Sequence, residues 1–270
     1  MPAEAWFWLC AIWRFRAIAA LCSNVTSLSL VVYDGGMPAV PNSQSLLIDA
    51  DDTLWENNIY FEQAIAEFMR MLNHQEMSHT EVRLFLNQVE RETILERGYG
   101  SHSFAHSLVK CFERLARQPV TPELHEFVWG FAHRVSTSDL ELIDGVPETL
   151  EYLRNRHHLV LMTKGNFTEQ SGKVERSGLK EFFAAVEIVA EKDPRTYKEI
   201  VGKYELEPQS TWMVGNSPRS DINPALAAGI NAVFVPHDNT WVLEHEEVSP
   251  APDGLCLLQV GRFRELREHF

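Results

Sequence analysis

LLIDADDTLWENN, Leu46 to Asn58, decides how this chain is read. Its apolar start has the pattern of a buried strand, yet the run ends in Asp49, Asp51 and Asp52, three acids within four positions. Like charges this close oppose folding unless something positive joins them. Residues two apart on a strand share a face, so Asp49 and Asp51 are expected to project together while Ala50 turns away. Such a carboxylate pair splits its titration and can keep one ionised group beside a proton donor. Taken alone, the same acids would serve equally well as turn and helix caps.

Beyond Asn58 the period changes. IYFEQAIAEFMRML sets Phe61, Ile65, Phe68 and Leu72 on one helical face. Helical patterns continue in TEVRLFLNQVERETILE, SFAHSLVKCFERLARQ and PELHEFVWGFAHRVS, the last opening on Thr121 as N-cap and Pro122 as first helical residue. The break RGYGSH, Arg97 to His102, interrupts this block. From Asp144 onward, apolar runs (HLVLMT, VEIVA, TWMVG, NAVFVP, LCLLQV) alternate with amphipathic ones (VPETLEYLRNR, TEQSGKVERSG, PRTYKEIVGKY, RSDINPALAAG, RFRELREH). The alternation predicts parallel crossover units covered on both faces. The expected fold is therefore α/β, a doubly wound Rossmann-like parallel sheet interrupted after its first strand by an inserted α-helical domain. In such a sheet the loops at the carboxyl ends of the strands gather functional groups. Asp49, Thr163, Lys192, Gly215 and Asp221 all fall at or just past such ends.

Composition narrows the field. With 270 residues, 45% of them hydrophobic, the chain can bury one large core or a core and a smaller domain. A formal charge of -14, from 24 Lys+Arg against 38 Asp+Glu, argues against general nucleic-acid or anionic-membrane partners while leaving room for a local anion pocket. Cys10, Cys22, Cys111 and Cys256 form neither a CxxC pair nor a dense framework, which suits reduced thiols and a cytoplasmic setting. The first forty residues read differently, as an extension rich in Trp and apolar runs. Glu4 precedes those runs and Arg14 and Arg16 interrupt them, a poor signal sequence, and the polar residues between Ser23 and Ser29 make a poor membrane span. A start at Met37, from which MPAVPNSQ leads straight into the first strand, accounts for the rest most simply.

Four segments taken in order carry a family resemblance. LLIDADDTL is similar to the first motif of the haloacid dehalogenase superfamily, LVLMTKGN to the second, EKDPRTYKEIV to the third and MVGNSPRSDINPALAAGI to the fourth. The likeness runs from about Ser45 to the C-terminus. It implies an N-terminal extension at 1–43, a core of 44–54 and 143–270, and a C1-type helical cap at 55–142.

The resemblance also implies roles. Asp49 would be the nucleophile of an aspartyl-phosphate mechanism, Asp51 the acid and base, Thr163 a phosphoryl hydrogen-bond donor and Lys192 the balancing cation. Mg2+ would be held by Asp49, the Asp51 main-chain carbonyl and Asp221. Lys164 competes with Lys192 for the cationic role, and Lys192 ranks higher by its place in the third motif. Asn216 stands where many relatives carry Asp, offering an oxygen without charge or a hydrogen bond to Asp221. Thr53, Lys164, Gly165 and Asn166 are candidates for substrate binding, as are Trp55, Asn58 and, on the cap loop, Arg97, Tyr99 and His102.

An acid at position 51 favours phosphoryl chemistry over dehalogenation, which needs neither that acid nor Mg2+. A Mg2+-dependent phosphatase of a small phosphorylated metabolite is the leading expectation. A phosphosugar mutase and a catalytically silent binding protein are the alternatives. Phosphoglycolate, sugar phosphates and nucleoside monophosphates are all compatible as substrates.

Overall fold

The computed structural model describes residues 43–72, 76–116, 120–137 and 139–270, so the reading of 1–42 as an extension lies outside the described residues. β1 (Ser45–Ile48) is followed by four helices, α1 (Asn58–Leu72), α2 (His79–Arg97), α3 (Ser101–Ala116) and α4 (Pro122–Thr137). The chain then alternates: α5 (Val146–Arg154), β2 (His158–Lys164), α6 (Phe167–Ser177), β3 (Ala185–Val189), α7 (Pro194–Lys203), β4 (Thr211–Gly215), α8 (Asn223–Ala228), β5 (Asn231–Phe234) and β6 (Leu257–Gln259). All the strands run parallel in the order β3-β2-β1-β4-β5-β6. This is the expected Rossmann-like sheet with a helical insertion between its first two strands.

β1 sits at the sheet's centre, and its side chains serve two cores. Leu46 and Ile48 pack on one face with Leu150 and Leu153 of α5 and Val174 of α6. Leu47 packs on the other with Tyr197 and Ile200 of α7 and Ala225 of α8. Burial on both faces explains why the strand reads as an unbroken apolar run. Register then fixes the site: Ile48 lies opposite Leu161 and Val214, so Asp49 emerges beside the ends of β2 and β4, its N–H donating to the Val214 carbonyl at 2.9 Å.

The inserted helices have their own core, built on Ile65, Phe68, Leu86, Phe104, Leu108 and Phe131. α2 begins one residue earlier than the periodicity suggests because Ser78 and Glu81 cap it reciprocally, with Ser78 N–H donating to Glu81 at 2.8 Å. Thr121 accepts the Leu124 N–H and opens α4. The chain leaves and re-enters the core at one place, where Glu56 N–H donates to Glu141 O at 2.9 Å and Ile143 N–H to Leu54 O at 3.0 Å.

Two segments depart from expectation. Residues Pro218–Ile222 form a wide π-helical turn, closed by Ile222 N–H to Ser217 O at 3.1 Å, and α8 starts only at Asn223. The final amphipathic segment forms a 3₁₀ turn, Phe263–Glu268, whose Phe263 and Leu266 bury against α5 instead of extending as an α-helix.

Candidate active site

The loop after β1 separates the three acids into different duties. The Ala50 carbonyl accepts N–H groups from Thr53 and Leu54 at 3.2 and 2.8 Å, folding the chain sharply back. Asp52 takes the left-handed bend at φ 59°, and its carboxylate accepts the Asn57 and Asn58 N–H groups at 2.9 and 3.0 Å, capping the start of α1. The capping role open to acids in sequence thus belongs to Asp52. Asp49 and Asp51 are released to face a cavity of about 170 Å³ between the sheet edge and the inserted helices.

Asp49 is 7% exposed. Its Oδ1 accepts from Lys192 Nζ and its Oδ2 from Thr53 Oγ1 at 3.1 Å. The same Lys192 ammonium donates to Asp221 Oδ1 at 2.7 Å, and the other Asp221 oxygen accepts the Ser217 N–H at 2.9 Å. Lys192 arrives just ahead of α7, whose N-terminus Asp193 caps by accepting the Thr196 N–H at 2.7 Å. The π-helical turn brings Asp221 inward, and Gly215 makes room for it. A Cβ at position 215 would fall on the Asp221 carboxylate, 2.8 Å from that residue's own Cβ.

The buried cluster therefore joins one ammonium to two carboxylates. Burial, and then repulsion from Asp221, push the Asp49 carboxyl up to about 7 against the pull of Lys192. Burial works against the charge on Lys192, but Asp221 and Asp49 raise its pKa above the ordinary lysine value.

Asp51 occupies a different electrostatic setting. It accepts from Trp55 Nε1 at 2.7 Å, Gln170 Nε2 at 2.9 Å and Lys173 Nζ at 2.9 Å. Burial alone would raise its pKa, but the charge and hydrogen bond of Lys173, with the bonds from Gln170 and Trp55, hold it below the usual carboxylate range. Gly165, at φ +142°, leaves the space that Gln170 fills: a Cβ there would lie 3.2 Å from Gln170 Nε2.

Thr163, 1% exposed, lines the cavity at the end of β2. Lys164 lines it too but points to other partners, donating to Ser220 and to Glu244 at 2.8 Å each and lying 4.3 Å from the Tyr99 ring centre. Of the two lysines, Lys192 is the one that reaches Asp49. Asn166 lines the cavity edge and caps α6 by accepting the Glu169 N–H at 3.1 Å. Asn58 and Tyr99 also line the cavity, and the Asn58 amide donates to Asn239 O at 2.8 Å.

Four expected residues sit elsewhere. Trp55 packs in the core at 1% exposure and reaches the site only through its bond to Asp51. Thr53 touches Asp49 without lining the cavity. Arg97 is exposed at the end of α2, where the helical phase turns it outward, and exposed His102 packs edge-on against Trp129, 5.4 Å between ring centres. Asn216 donates to Thr240 at 2.9 Å, not to Asp221.

Gln170, Lys173 and Glu244 went unread in sequence. Gln170 and Lys173 share a face three residues apart on the helix after the second motif, which is the available signal. Glu244 reaches the site from a loop without periodicity.

A separate group, Asp52, Glu56 and His237, brings one ligand-type atom from each residue within 4.8 Å of the others and could hold a metal ion. His237 Nε2 lies 3.2 Å from Glu56 Oε1. This group shares only Asp52 with the cavity lining and contains none of the Asp49, Asp51 and Asp221 set expected from sequence.

A parallel sheet that gathers carboxylates and a buried lysine at one edge, beneath an inserted helical cap, defines a capped Rossmann-like enzyme. The profile of the haloacid dehalogenase-like hydrolases matches residues 46–235, and the chain belongs to that family. It is a hydrolase. A phosphoserine phosphatase of Thermus thermophilus is 28% identical over 67% of this chain, and the match spans 64% of that relative's length, just under two thirds. A glyceraldehyde 3-phosphate phosphatase of Methanothermobacter thermautotrophicus is 24% identical over 83% of this chain and 98% of its own. A haloacid dehalogenase-like hydrolase structure from Xanthomonas campestris superposes with a TM-score of 0.72 at 26% identity, covering 84% of this chain and 94% of its own. Among the described residues, no helix is long and apolar enough to cross a membrane.

Proposed function

We propose that this hydrolase is a Mg2+-dependent phosphatase acting on a small phosphorylated metabolite through Asp49. The reading is carried by one observation: Asp49 and Asp221 share the Lys192 ammonium at the end of β1, with a second acid two residues beyond the first. The two relatives named as phosphatases support the same substrate class.

The donor set fits a hard divalent cation. Two buried carboxylates against one ammonium leave a surplus negative charge, which adds to burial in pushing Asp49 up, and all the candidate ligands are oxygens. Asp49, the Asp51 main-chain carbonyl and Asp221 would hold the ion, which when bound would neutralise that surplus and the charge of the phosphoryl oxygens.

Each residue then has a task. Asp49 attacks phosphorus, forming an aspartyl-phosphate as the bond to the leaving oxygen breaks. Lys192 orients the Asp49 carboxylate and balances charge, and Thr163 donates a hydrogen bond to a phosphoryl oxygen. Asp51 delivers a proton to the leaving oxygen, then accepts one from the water that cleaves the aspartyl-phosphate. The carboxylate form held by Lys173 and Gln170 is the accepting form; to donate, Asp51 first takes a proton from solvent as Lys173 turns from it toward the arriving phosphate. Residues 55–142 serve as the cap that excludes water.

Phosphate release from p-nitrophenyl phosphate tests this. Steady release that requires Mg2+ and falls by about 10³-fold or more in Asp49→Asn is expected. Binding of the ester without release under any metal condition would mark a binding protein, and an isomerised sugar phosphate without free phosphate would mark a mutase.

A further inference from the structure

The cavity has a second polar end that phosphoryl transfer does not use. Glu90, in the middle of α2, lines the same cavity as Asp49 and Lys192 yet is only 5% exposed. Its Oε2 is fully buried with no hydrogen-bond partner. A buried acceptor left unpaired is costly, and in native structures it calls for a specific reason.

The neighbouring groups are already committed. The Arg83 guanidinium, which acts on Glu90 at a distance, is bonded to both Glu62 oxygens at 2.7 and 2.8 Å and to Asn87 at 2.9 Å. The Ser103 and Ser107 hydroxyls, also on the cavity wall, donate to the main-chain carbonyls of Gly98 and Ser103 at 2.5 and 3.0 Å. Phe61, Ile94 and Phe104 complete an apolar surround. Among the described residues, nothing within the protein donates to Glu90.

Resting on the phosphatase reading, we propose that Glu90 selects the leaving group, accepting a hydrogen bond from a primary ammonium carried by a phosphate monoester. A cation is favoured over a neutral hydroxyl by the charge balance. Burial, with the Glu62 charge adding to it, pushes the Glu90 carboxyl up to about 7 in spite of Arg83, so its ionised form is only partly countered within the fold and a cationic ligand would complete the balance. An ammonium supplies both the charge and the hydrogen bond, whereas a hydroxyl supplies only the bond. The apolar surround strengthens that pairing and disfavours a second anionic group.

The test uses the full chain with Mg2+ and two series of probes, ω-aminoalkyl phosphates of two to five carbons and the ω-hydroxyalkyl phosphates of the same lengths. At one length, wild-type kcat/KM should favour the amine by about 30-fold, the scale of one charge-assisted hydrogen bond. In Glu90→Gln the amine-to-hydroxyl ratio should fall to about one, and Glu90→Asp should recover part of it. Equal rates for the two series at every length in wild type would overturn the proposal even if neither variant folds, as would a preference that survives Glu90→Gln. Wild type that releases phosphate from p-nitrophenyl phosphate yet shows no amine preference refutes the role of Glu90 alone. No release from any ester refutes the phosphatase reading and this inference with it.

Discussion

Gly215 illustrates how a single missing side chain can serve a site. The Asp221 carboxylate occupies the space that any Cβ at 215 would take, and β4 on one side and the π-helical turn on the other leave the carboxylate nowhere to go. Gly215→Ala should cost about 1–3 kcal/mol in stability through overpacking and, if Asp221 holds Mg2+ as proposed, should raise the Mg2+ concentration needed for half-maximal activity by displacing it. Thermal melts and phosphate release titrated with Mg2+ would check both effects.

Glu90 supports a prediction about pH. Its carboxyl titrates near 4.5 when unfolded and is pushed up to about 7 in the fold, so the folded chain holds a proton that the unfolded chain has lost between those values. Its contribution to stability is therefore present below about 4.5 and is lost as pH rises toward 7. In chelator-treated protein, Glu90→Gln should flatten this decline, narrowing the stability difference between pH 5 and pH 8 by up to about 3 kcal/mol. Denaturant melts at the two pH values would show it. At this scale Asp49, Thr163, Lys192 and Asp221 were legible because strand ends converge. Lys173 and Glu90 were not, since each gains meaning only from a partner, or a missing one, far along the chain.

At the level of elements, the helical cap is held to the core through a helix end. The Ser101 N–H at the start of α3 donates to Glu169 Oε2 at 2.9 Å, and the Ser101 hydroxyl to Oε1 at 2.8 Å, so a carboxylate from α6 caps a helix of the insertion. The placement satisfies orphan donors and sets negative charge at the positive end of the helix. Glu169→Ala should cost about 1 kcal/mol and raise the susceptibility of the Gly98–Gly100 segment to proteolysis, as limited digestion would reveal. Strands and long helices were readable here because apolar period and length agree. The π-helical turn was hidden because its extra residue leaves no period, and the terminal 3₁₀ turn because RFRELREH is too short for periodicity to distinguish the two helices. The start of α2 was present in the sequence as Ser78 and Glu81, three residues apart, and needed only the capping pattern to be read.

Over the whole molecule, charge works against the anion the site is proposed to take. The chain carries -14 overall, and each lysine lining the cavity is already paired: Lys164 with Glu244, Lys173 with Asp51, Lys192 with Asp49 and Asp221. Long-range repulsion is screened by salt, while the buried pairs are barely affected. Raising ionic strength from about 10 to 150 mM at fixed Mg2+ should therefore increase kcat/KM for a phosphate ester about two- to threefold. A decrease would show that attraction at the cavity mouth outweighs the global field.

The place where the chain departs for the helical insertion and returns from it has a consequence of its own. Leu54 and Glu56 are hydrogen-bonded directly to Ile143 and Glu141, so the stem of the insertion is already closed before its helices begin. A short turn grafted between those two strands of the stem would leave the sheet's connectivity intact. Evolution, or a protein engineer, can then treat the lid as an exchangeable cassette, swapping recognition while the machinery beneath stays in place.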